Sequence, residues 1–466
     1  MIKNLDQVKK IYFIGIKGVA LSGLAVICRQ RGMAVFGSDV ADKFITDKVL
    51  AQQNIEVFEE FSAANLDVGP DLVVVGASWP DDHVEVATAN TRHLPTISDS
   101  ELRGLLSREK TTVAVTGVHG KTTTTALISY VLTKAGLAPS YLIGTGVVAD
   151  LGNNAQWNAT SDYFVVEGDE YIRSQTDHTP KFLDLSPTIS VITSIEWEHV
   201  DVFPNVEALE TAFTQLVENT KDTIVACGDW SSVQKVIAAE KDKTITYGLE
   251  SVNDWQLYDI KQEFEGTVFK VRRGQDSLGE FSISLFGQHN ALNALSAIII
   301  GVEVGIDLEL IRQMLPGFKG AERRFDVSER HDVVFIDDYA HHPTAIKTTL
   351  QAVRHRYPDK KIWCVFQPHM ASRTKALLDD FAQSFSDVDM VLFADIFASA
   401  REKVEDFSSK NLAEQTIRHH QHALYTGDLN QTIEYVKKNI QSGMVLVTMG
   451  AGDVYRVRDK VIKDYV

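Results

Sequence analysis

The sequence predicts an α/β protein of three domains. The N-terminal and C-terminal units are Rossmann-like. Between them lies a P-loop ATPase-like unit whose mostly parallel sheet carries an antiparallel patch. Three observations predict this. The chain has 466 residues, about three times an ordinary domain of roughly 150. Short apolar runs recur at 10–15, 71–76, 163–167, 189–193, 333–337, 362–367, 390–395 and 444–450. Most are separated by helical stretches and end in glycine or a polar residue. That rhythm belongs to parallel sheets, which gather chemistry at the carboxyl ends of their strands. One further run, 111–115, leads into a glycine loop, a Lys-Thr pair and a helix.

The first unit spans 1–107. Ile14-Gly15-Ile16-Lys17-Gly18 follows its first strand, Ser22-Gly23 comes shortly after, and Ser38-Asp39 ends the second strand. A glycine turn after strand one with an acid after strand two is the nucleotide-binding logic of this fold, the acid accepting from a ribose. The spacing is G-x-x-G and not G-x-G-x-x-G. It points away from NAD and toward another nucleotide diphosphate. A tight turn with a capping Asp is the structural alternative.

The central unit spans 108–320 and opens on the phosphate loop. Gly117 and Gly120 break the strand, and Lys121-Thr122-Thr123 starts a helix with Leu127, Tyr130, Val131 and Leu132 as apolar members. Backbone N–H groups and the helix N-terminus hold an anion there. The lysine neutralises charge, and the Thr122 hydroxyl suits Mg²⁺. The loop is two residues shorter than G-x-x-x-x-G-K-T, and a structural glycine turn is the alternative. Glu167, Asp169 and Glu170 end one later run. Glu196, Glu198, His199 and Asp201 follow the next. Acids at neighbouring strand ends beside a phosphate loop suit an oxygen-loving cation bridging phosphates, and His199 suits a second metal site. A solvated acidic face is the bland reading. Residues 254–285 alternate apolar and polar around Gly266 and Gly274, which predicts the antiparallel patch. His289 and Asn290 open an apolar helix, either facing a nucleotide or capping the helix.

The third unit spans 321–466, after the Pro and Gly punctuation of 316–320. Arg323-Arg324 precedes its first strand. Asp338, His341 and His342 end that strand, and His369 and Arg373 follow the next. Cations and histidines at strand ends suit phosphates or a carboxylate. The adjacent His341 and His342 have no third ligand at zinc-like spacing, so the sequence does not point to zinc.

Bulk properties exclude several classes. The net charge of −17 disfavours nucleic acid as a partner, and no apolar run approaches a membrane span. The N-terminus lacks a signal-peptide pattern. Cys28, Cys227 and Cys364 lie far apart and read as buried thiols in a reducing cytoplasm.

Taken in order, GIKGVALSG, GSD, TGVHGKTTTT, VVEGDEY, TSIEWEHVD, GQHNALNALSA, ERRFD, IDDYAHHPT, FQPHMASRT, DIFASARE and MGAGDVY resemble the Mur ligase family of ATP-dependent amide-forming ligases over nearly the whole chain. The resemblance implies ATP and Mg²⁺, with UDP-N-acetylmuramate and an amino acid (L-alanine) or peptide as substrates. It implies UDP contacts at Gly15, Gly18, Ser22 and Asp39. ATP contacts fall at Gly117, His119, Gly120, Lys121, Thr122, Thr123, Asn290, Arg324 and Asp338. Metal ligands fall at Thr122, Glu167 and His199, and acceptor contacts at His342 and Arg373. It assigns UDP-sugar, ATP and acceptor to the first, second and third units, and leaves monomer and homodimer open. Two branches divide the likeness. The glycine turn and the third unit look like the branch that adds L-alanine; residues 167–182, closing in Pro-Lys-Phe, look like the branch that adds a recycled tripeptide. Met370 stands where many of the former carry arginine. Phe213-Thr214-Gln215-Leu216 offers no counterpart to the carbamylated lysine of other members. A nicotinamide-dependent oxidoreductase explains nothing after residue 107, and a P-loop switch leaves the outer units unused.

Overall fold

The computed structural model describes residues 4–199, 202–397 and 407–464. Residues 200 and 201, and residues 398–402 of the segment 395–402, lie outside the described residues.

Each unit is built on its own sheet. The first comprises β1 (Lys10–Ile14), β2 (Ala34–Ser38), β3 (Glu56–Phe58), β4 (Leu72–Val75) and β5 (Thr96–Ser98), all parallel, in the order β3-β2-β1-β4-β5. The order reverses between β1 and β4, so the crevice at their carboxyl ends holds the Gly15 turn.

The central sheet contains β6 (Thr111–Thr116), β7 (Ser140–Leu142), β8 (Ala155–Gln156), β9 (Tyr163–Glu167), β10 (Ile189–Ile192), β11 (Thr223–Cys227) and β12 (Thr244–Gly248). It continues through β13 (Trp255–Glu263), β14 (Gly266–Arg273) and β15 (Asp276–Ile283). The order is β15-β14-β13-β12-β11-β10-β6-β9-β7-β8. β13, β14 and β15 pair antiparallel, which is the patch expected around Gly266 and Gly274. β6 lies between β9 and β10, so the phosphate loop, Glu167 and the turn after β10 emerge side by side.

The third sheet has β16 (Asp326–Arg330), β17 (Val333–Asp338), β18 (Lys361–Phe366), β19 (Met390–Ala394), β20 (Ala423–Gly427) and β21 (Met444–Met449). The order is β16-β17-β21-β18-β19-β20, with only β16 antiparallel.

The junctions between units differ in kind. The first and central units share one apolar core, running from Ile11, Leu24 and Leu72 through Leu102 and Leu106 to Phe164, Phe182 and Phe213. The helix Asp99–Ser107, started by a Ser98–Glu101 capping box, is the wedge between them. Its Gly104 runs so close to the 184 backbone that a Cβ would lie 2.4 Å from the Asp184 carbonyl oxygen. The boundary expected at 107 thus falls where the two units share this core.

The third unit has two apolar clusters, one of which takes in Phe286 of the central unit. The chain reaches it through a short polar crossing. Phe318 and Ala321 still pack in the central core, and the Glu322 amide donates to the Val147 carbonyl at 3.2 Å. Arg323 and Phe325 then turn the backbone through φ of 60° and 55°. The buried Arg323 guanidinium fixes the new direction. It donates to Asp337 at 3.0 Å and to the carbonyls of Gly452 and Gly450 at 2.9 and 2.8 Å. Lysine has no such fork. We predict that Arg323→Lys destabilises the third unit by about 2–3 kcal/mol, seen as an earlier chemical-denaturation transition with the other two units unmoved. A transition at the parental midpoint would show that the clasp is dispensable.

Candidate active site

One cavity of about 1020 Å³ runs between the three units, lined among others by Gly15, Asp39, Lys121, Glu167, Arg324 and His342. The first unit contributes its glycine turn and the end of β2. Gly15 has φ of +84°, and a Cβ there would fall 2.1 Å from the Trp79 indole nitrogen; only glycine lets that ring close over the turn. Gly18 lines the cavity beside it. The Asp39 carboxylate accepts from the Lys17 amide at 2.7 Å and the Val40 amide at 2.8 Å. Burial still leaves its pKa raised, against those two donors. Ser22 does not reach this space. It is fully buried, and its hydroxyl donates back to the Val19 carbonyl at 2.9 Å. Its place on the helix Val19–Gln30 turns it inward, so its hydroxyl does not line the cavity.

The phosphate loop follows β6. Gly117 and Gly120 take φ of +118° and +81°. A Cβ on either would meet Thr193 Oγ1 at 2.2 Å or Asn293 Oδ1 at 2.5 Å. The loop is therefore pressed against the end of β10 and the helix Gln288–Glu303, with no room for side chains. Lys121 Nζ donates to the Gly117 carbonyl at 2.6 Å and pairs with Glu170 at 2.9 Å. Burial opposes its charge, but Glu170, Asp169, Glu198 and Glu167 outweigh burial and raise its pKa. Thr123 lines the cavity next to Thr122.

Carboxylates crowd this end of the sheet. Glu167 accepts from Thr122 Oγ1 at 3.1 Å and from the Gly144 amide at 2.9 Å. Glu170, 1% exposed, accepts from His199 Nε2 at 3.1 Å. Asp169 is held down to about 2; burial opposes this, and Lys181, Lys121, His199 and Arg103 prevail. Burial also opposes the imidazolium of His199, but Glu170 and Glu198 raise its pKa. His199 thus hydrogen-bonds Glu170, which follows β9. Ligand atoms of Asp169, Glu170 and His199 all lie within 4.8 Å of one another. Together with the Thr122–Glu167 pair this is an oxygen-rich donor set with one imidazole, which fits Mg²⁺.

The third unit closes the cavity. Arg324 Nη2 donates to Thr122 Oγ1 at 2.9 Å, across the unit boundary. Asp338 accepts from the Phe325 and Ala340 amides, each at 2.8 Å, and so braces the turn that carries Arg324. Asn290 lines the cavity while donating to the Phe286 carbonyl at 2.8 Å, so it serves both readings of its helix start. His342, at the start of the helix Pro343–Arg356, faces His119 with ring centroids 5.0 Å apart. Burial, then His119, pushes its pKa down to about 4. Arg373 sits behind this wall, 3% exposed. Its Nη2 lies 3.6 Å from Glu198 Oε1, while its Nε and Nη1 have no hydrogen-bond partner among the described residues. With His341 and His199 it draws the Glu198 carboxyl well below its usual range, against burial.

Four contributors carry no signal of their own in the sequence. Trp79 follows β4 and covers Gly15. Arg103 and Lys181 converge on the buried Asp99, the latter at 3.1 Å, and all three line the cavity floor. Lys181 stands in the Pro-Lys-Phe triplet, which drew notice only as a likeness.

Comparisons with known proteins bear on the chain as a whole. Family models described as "Mur ligase family, catalytic domain", "Mur ligase middle domain" and "Mur ligase, glutamate ligase domain" match residues 10–111, 115–301 and 323–452. A UDP-N-acetylmuramate–L-alanine ligase of Caldanaerobacter subterraneus is 36% identical over 99% of both chains. The solved structure of a UDP-N-acetylmuramate-alanine ligase from Thermotoga maritima superposes with a TM-score of 0.83 at 25% identity, covering 98% of this chain and 99% of that one. A UDP-N-acetylmuramate:L-alanyl-γ-D-glutamyl-meso-diaminopimelate ligase of Neisseria is 30% identical, with a TM-score of 0.62, over 68% of this chain and 99% of its own.

Gly117 offers the sharpest test of the loop. A methyl group there meets Thr193 Oγ1 at 2.2 Å and the Ser194 amide nitrogen at 2.8 Å. Gly117→Ala is expected to weaken binding of a non-hydrolysable ATP analogue at least ~10-fold by calorimetry, since backbone N–H groups must hold their directions to cradle phosphate. Parental affinity would show that the loop does not bind the nucleotide.

Proposed function

This chain belongs to the Mur ligase family, and we propose that within it the chain joins L-alanine to UDP-N-acetylmuramate at the expense of ATP. The observation that carries the reading is the single cavity on which Asp39, Lys121 and His342, one from each unit, converge. Near-full-length likeness to L-alanine ligases supports the acceptor.

In this reading the muramoyl carboxylate oxygen attacks the γ-phosphorus of ATP, and ADP leaves. The acceptor amine then attacks the acyl carbon of the resulting acyl phosphate, and inorganic phosphate leaves as the amide forms. Asp39 and the Gly15–Gly18 turn hold the UDP end in the first unit. Gly117, His119, Gly120, Thr122 and Thr123 cradle the ATP phosphates, and Asn290 lies toward the base. Lys121 and Arg324 face the phosphoryl group from opposite units, so the charge in transfer meets fixed cations instead of water. Thr122 and Glu167 would hold one Mg²⁺, and Glu170 with His199 a second; bound there, Mg²⁺ spreads the charge of the phosphoryl oxygens. Asp338 positions Arg324. Arg373 keeps two donors, Nε and Nη1, without a partner among the described residues, and these are available to an anion such as the acceptor carboxylate. Nucleotide substrates and three buried free thiols favour the cytoplasm. No described helix is long and apolar enough to cross a membrane.

The second reading is the tripeptide ligase. The cavity-lining Lys181, in the segment that resembles that branch, favours it. A panel of L-alanine, L-serine, glycine and L-alanyl-γ-D-glutamyl-diaminopimelate, each with UDP-N-acetylmuramate and ATP, separates the two. Turnover is expected with L-alanine foremost; turnover with the tripeptide alone would replace the first reading by the second.

Lys121→Ala is expected to lower ligation by roughly 10²–10⁴-fold, the loss of about 3–5 kcal/mol of transition-state stabilisation, with a near-parental melting temperature. Comparable turnover in the mutant would sink the phosphate-loop role. Arg373→Lys is expected to raise the acceptor KM at least ~10-fold with ATP binding unchanged, because lysine cannot fork onto a carboxylate. An unchanged KM would remove Arg373 from the acceptor site.

A further inference from the structure

His341 and His342 do not act as a pair. His341 turns to the Tyr339 carbonyl at 2.9 Å and toward Glu198 at 3.4 Å. His342 turns the other way, into a cluster whose members lie far apart in sequence. His119 comes from the phosphate loop, Glu196 from the segment after β10, and His342 from the third unit. His119 Nε2 is 2.6 Å from Glu196 Oε2, and His342 Nδ1 is 3.6 Å from the same oxygen. One ligand atom from each residue lies within 4.8 Å of the other two.

We propose that His119, Glu196 and His342 form a zinc-type metal site, separate from the carboxylate-rich magnesium set. The donors are two imidazole nitrogens and one carboxylate oxygen, the selection that zinc and its neighbours take and that magnesium does not. A tetrahedral ion with bonds of about 2.0–2.1 Å separates its ligand atoms by roughly 3.4 Å. The His342–Glu196 distance already meets this, and the His119–Glu196 hydrogen bond opens by under ~1 Å to accept an ion.

A second observation points the same way. His342 is 5% exposed, and neither of its ring nitrogens has a hydrogen-bond partner among the described residues. A buried imidazole with both nitrogens unmatched is costly unless something occupies the space it faces. What it faces is His119 and Glu196. Glu196 is itself oriented, since its other oxygen accepts from Thr344 Oγ1 at 2.8 Å; metal-binding carboxylates are held by such outer hydrogen bonds. His119 and His342 both line the cavity, so the fourth position is left to water. The site spans the central and third units, and a bound ion ties the phosphate loop to the helix Pro343–Arg356.

The test is a titration of the full chain with Co²⁺ as a spectroscopic probe and with Zn²⁺ against a chromophoric chelator, in excess Mg²⁺ so that the oxygen-rich set is filled. One Zn²⁺ per chain is expected, with visible tetrahedral Co²⁺ bands that Zn²⁺ removes. Glu196→Gln and His342→Asn are each expected to weaken Zn²⁺ at least ~100-fold. His199→Asn, which alters only the magnesium set, should leave the affinity within about 2-fold of the parent. Melting temperatures of all three variants check that they are folded, and two independent ligand variants keep the test sound if one is not. No Zn²⁺ bound in excess Mg²⁺, parental affinity in both ligand variants, or loss of affinity in His199→Asn would each overturn the site.

Discussion

Buried carboxylates must be matched by charge, and at the carboxyl ends of β9 and β10 Glu170 and Glu198 are buried while Glu167 and Asp169 are half-buried. Glu167, Asp169, Glu170 and Glu198 all act on Lys121. Keeping such groups ionised away from bulk water requires cations at close range. No single unit supplies them. Arg103 comes from the first, Lys121, Lys181 and His199 from the central unit, and Arg373 from the third. The three-unit architecture can therefore be read as a charge-matching arrangement around one sheet end. Lys121 holds its place in the loop through Glu170, Asp169 is ionised through Lys181, and Glu198 through Arg373.

The two junctions divide this task unequally. The first and central units are joined through a continuous apolar core, which has density and little freedom to shift. The third meets them through polar contacts, Arg324 on Thr122 and Thr344 on Glu196, through a smaller apolar contact in which Phe286 and Trp197 join its core, and through a crossing at 322–325 with two residues in left-handed backbone. Polar contacts exchange with water at small net cost, whereas apolar ones do not. The first unit is thus held against the phosphate loop by a larger apolar contact than the third unit is.

Much of this was legible in the sequence, for identifiable reasons. The sheets were legible because each buried strand is a short β-branched run ended by a polar residue, and because Gly266 and Gly274 punctuate the antiparallel patch. The phosphate loop was legible because its glycines, lysine and threonine are contiguous. What was not legible depends on side-chain direction or on distant partners. Ser22 sits in the right stretch but on the inner face of its helix. His199 lies three residues after Glu196 and one after Glu198, yet bonds Glu170 from a different strand end. Asp99, Arg103 and Lys181 are ordinary charged residues in sequence, and only packing removes them from water. The boundary at 107 was drawn from a strand that begins at Thr111, and strand rhythm carries no information on whether two cores merge.

The lysine of the loop has a consequence for what the pocket refuses. Its ammonium is already engaged by the Gly117 carbonyl and Glu170, so an arriving anion must take over a donor that is in use. Binding is an exchange, and the free energy that matters is a difference between two occupied states. A small monoanion such as chloride, or a lone inorganic phosphate without further contacts, gains little by that exchange. A polyphosphate chain gains at several backbone amides at once and displaces the internal partners together. The chain's own carbonyl and carboxylate thus define what any anion has to displace to reach this lysine.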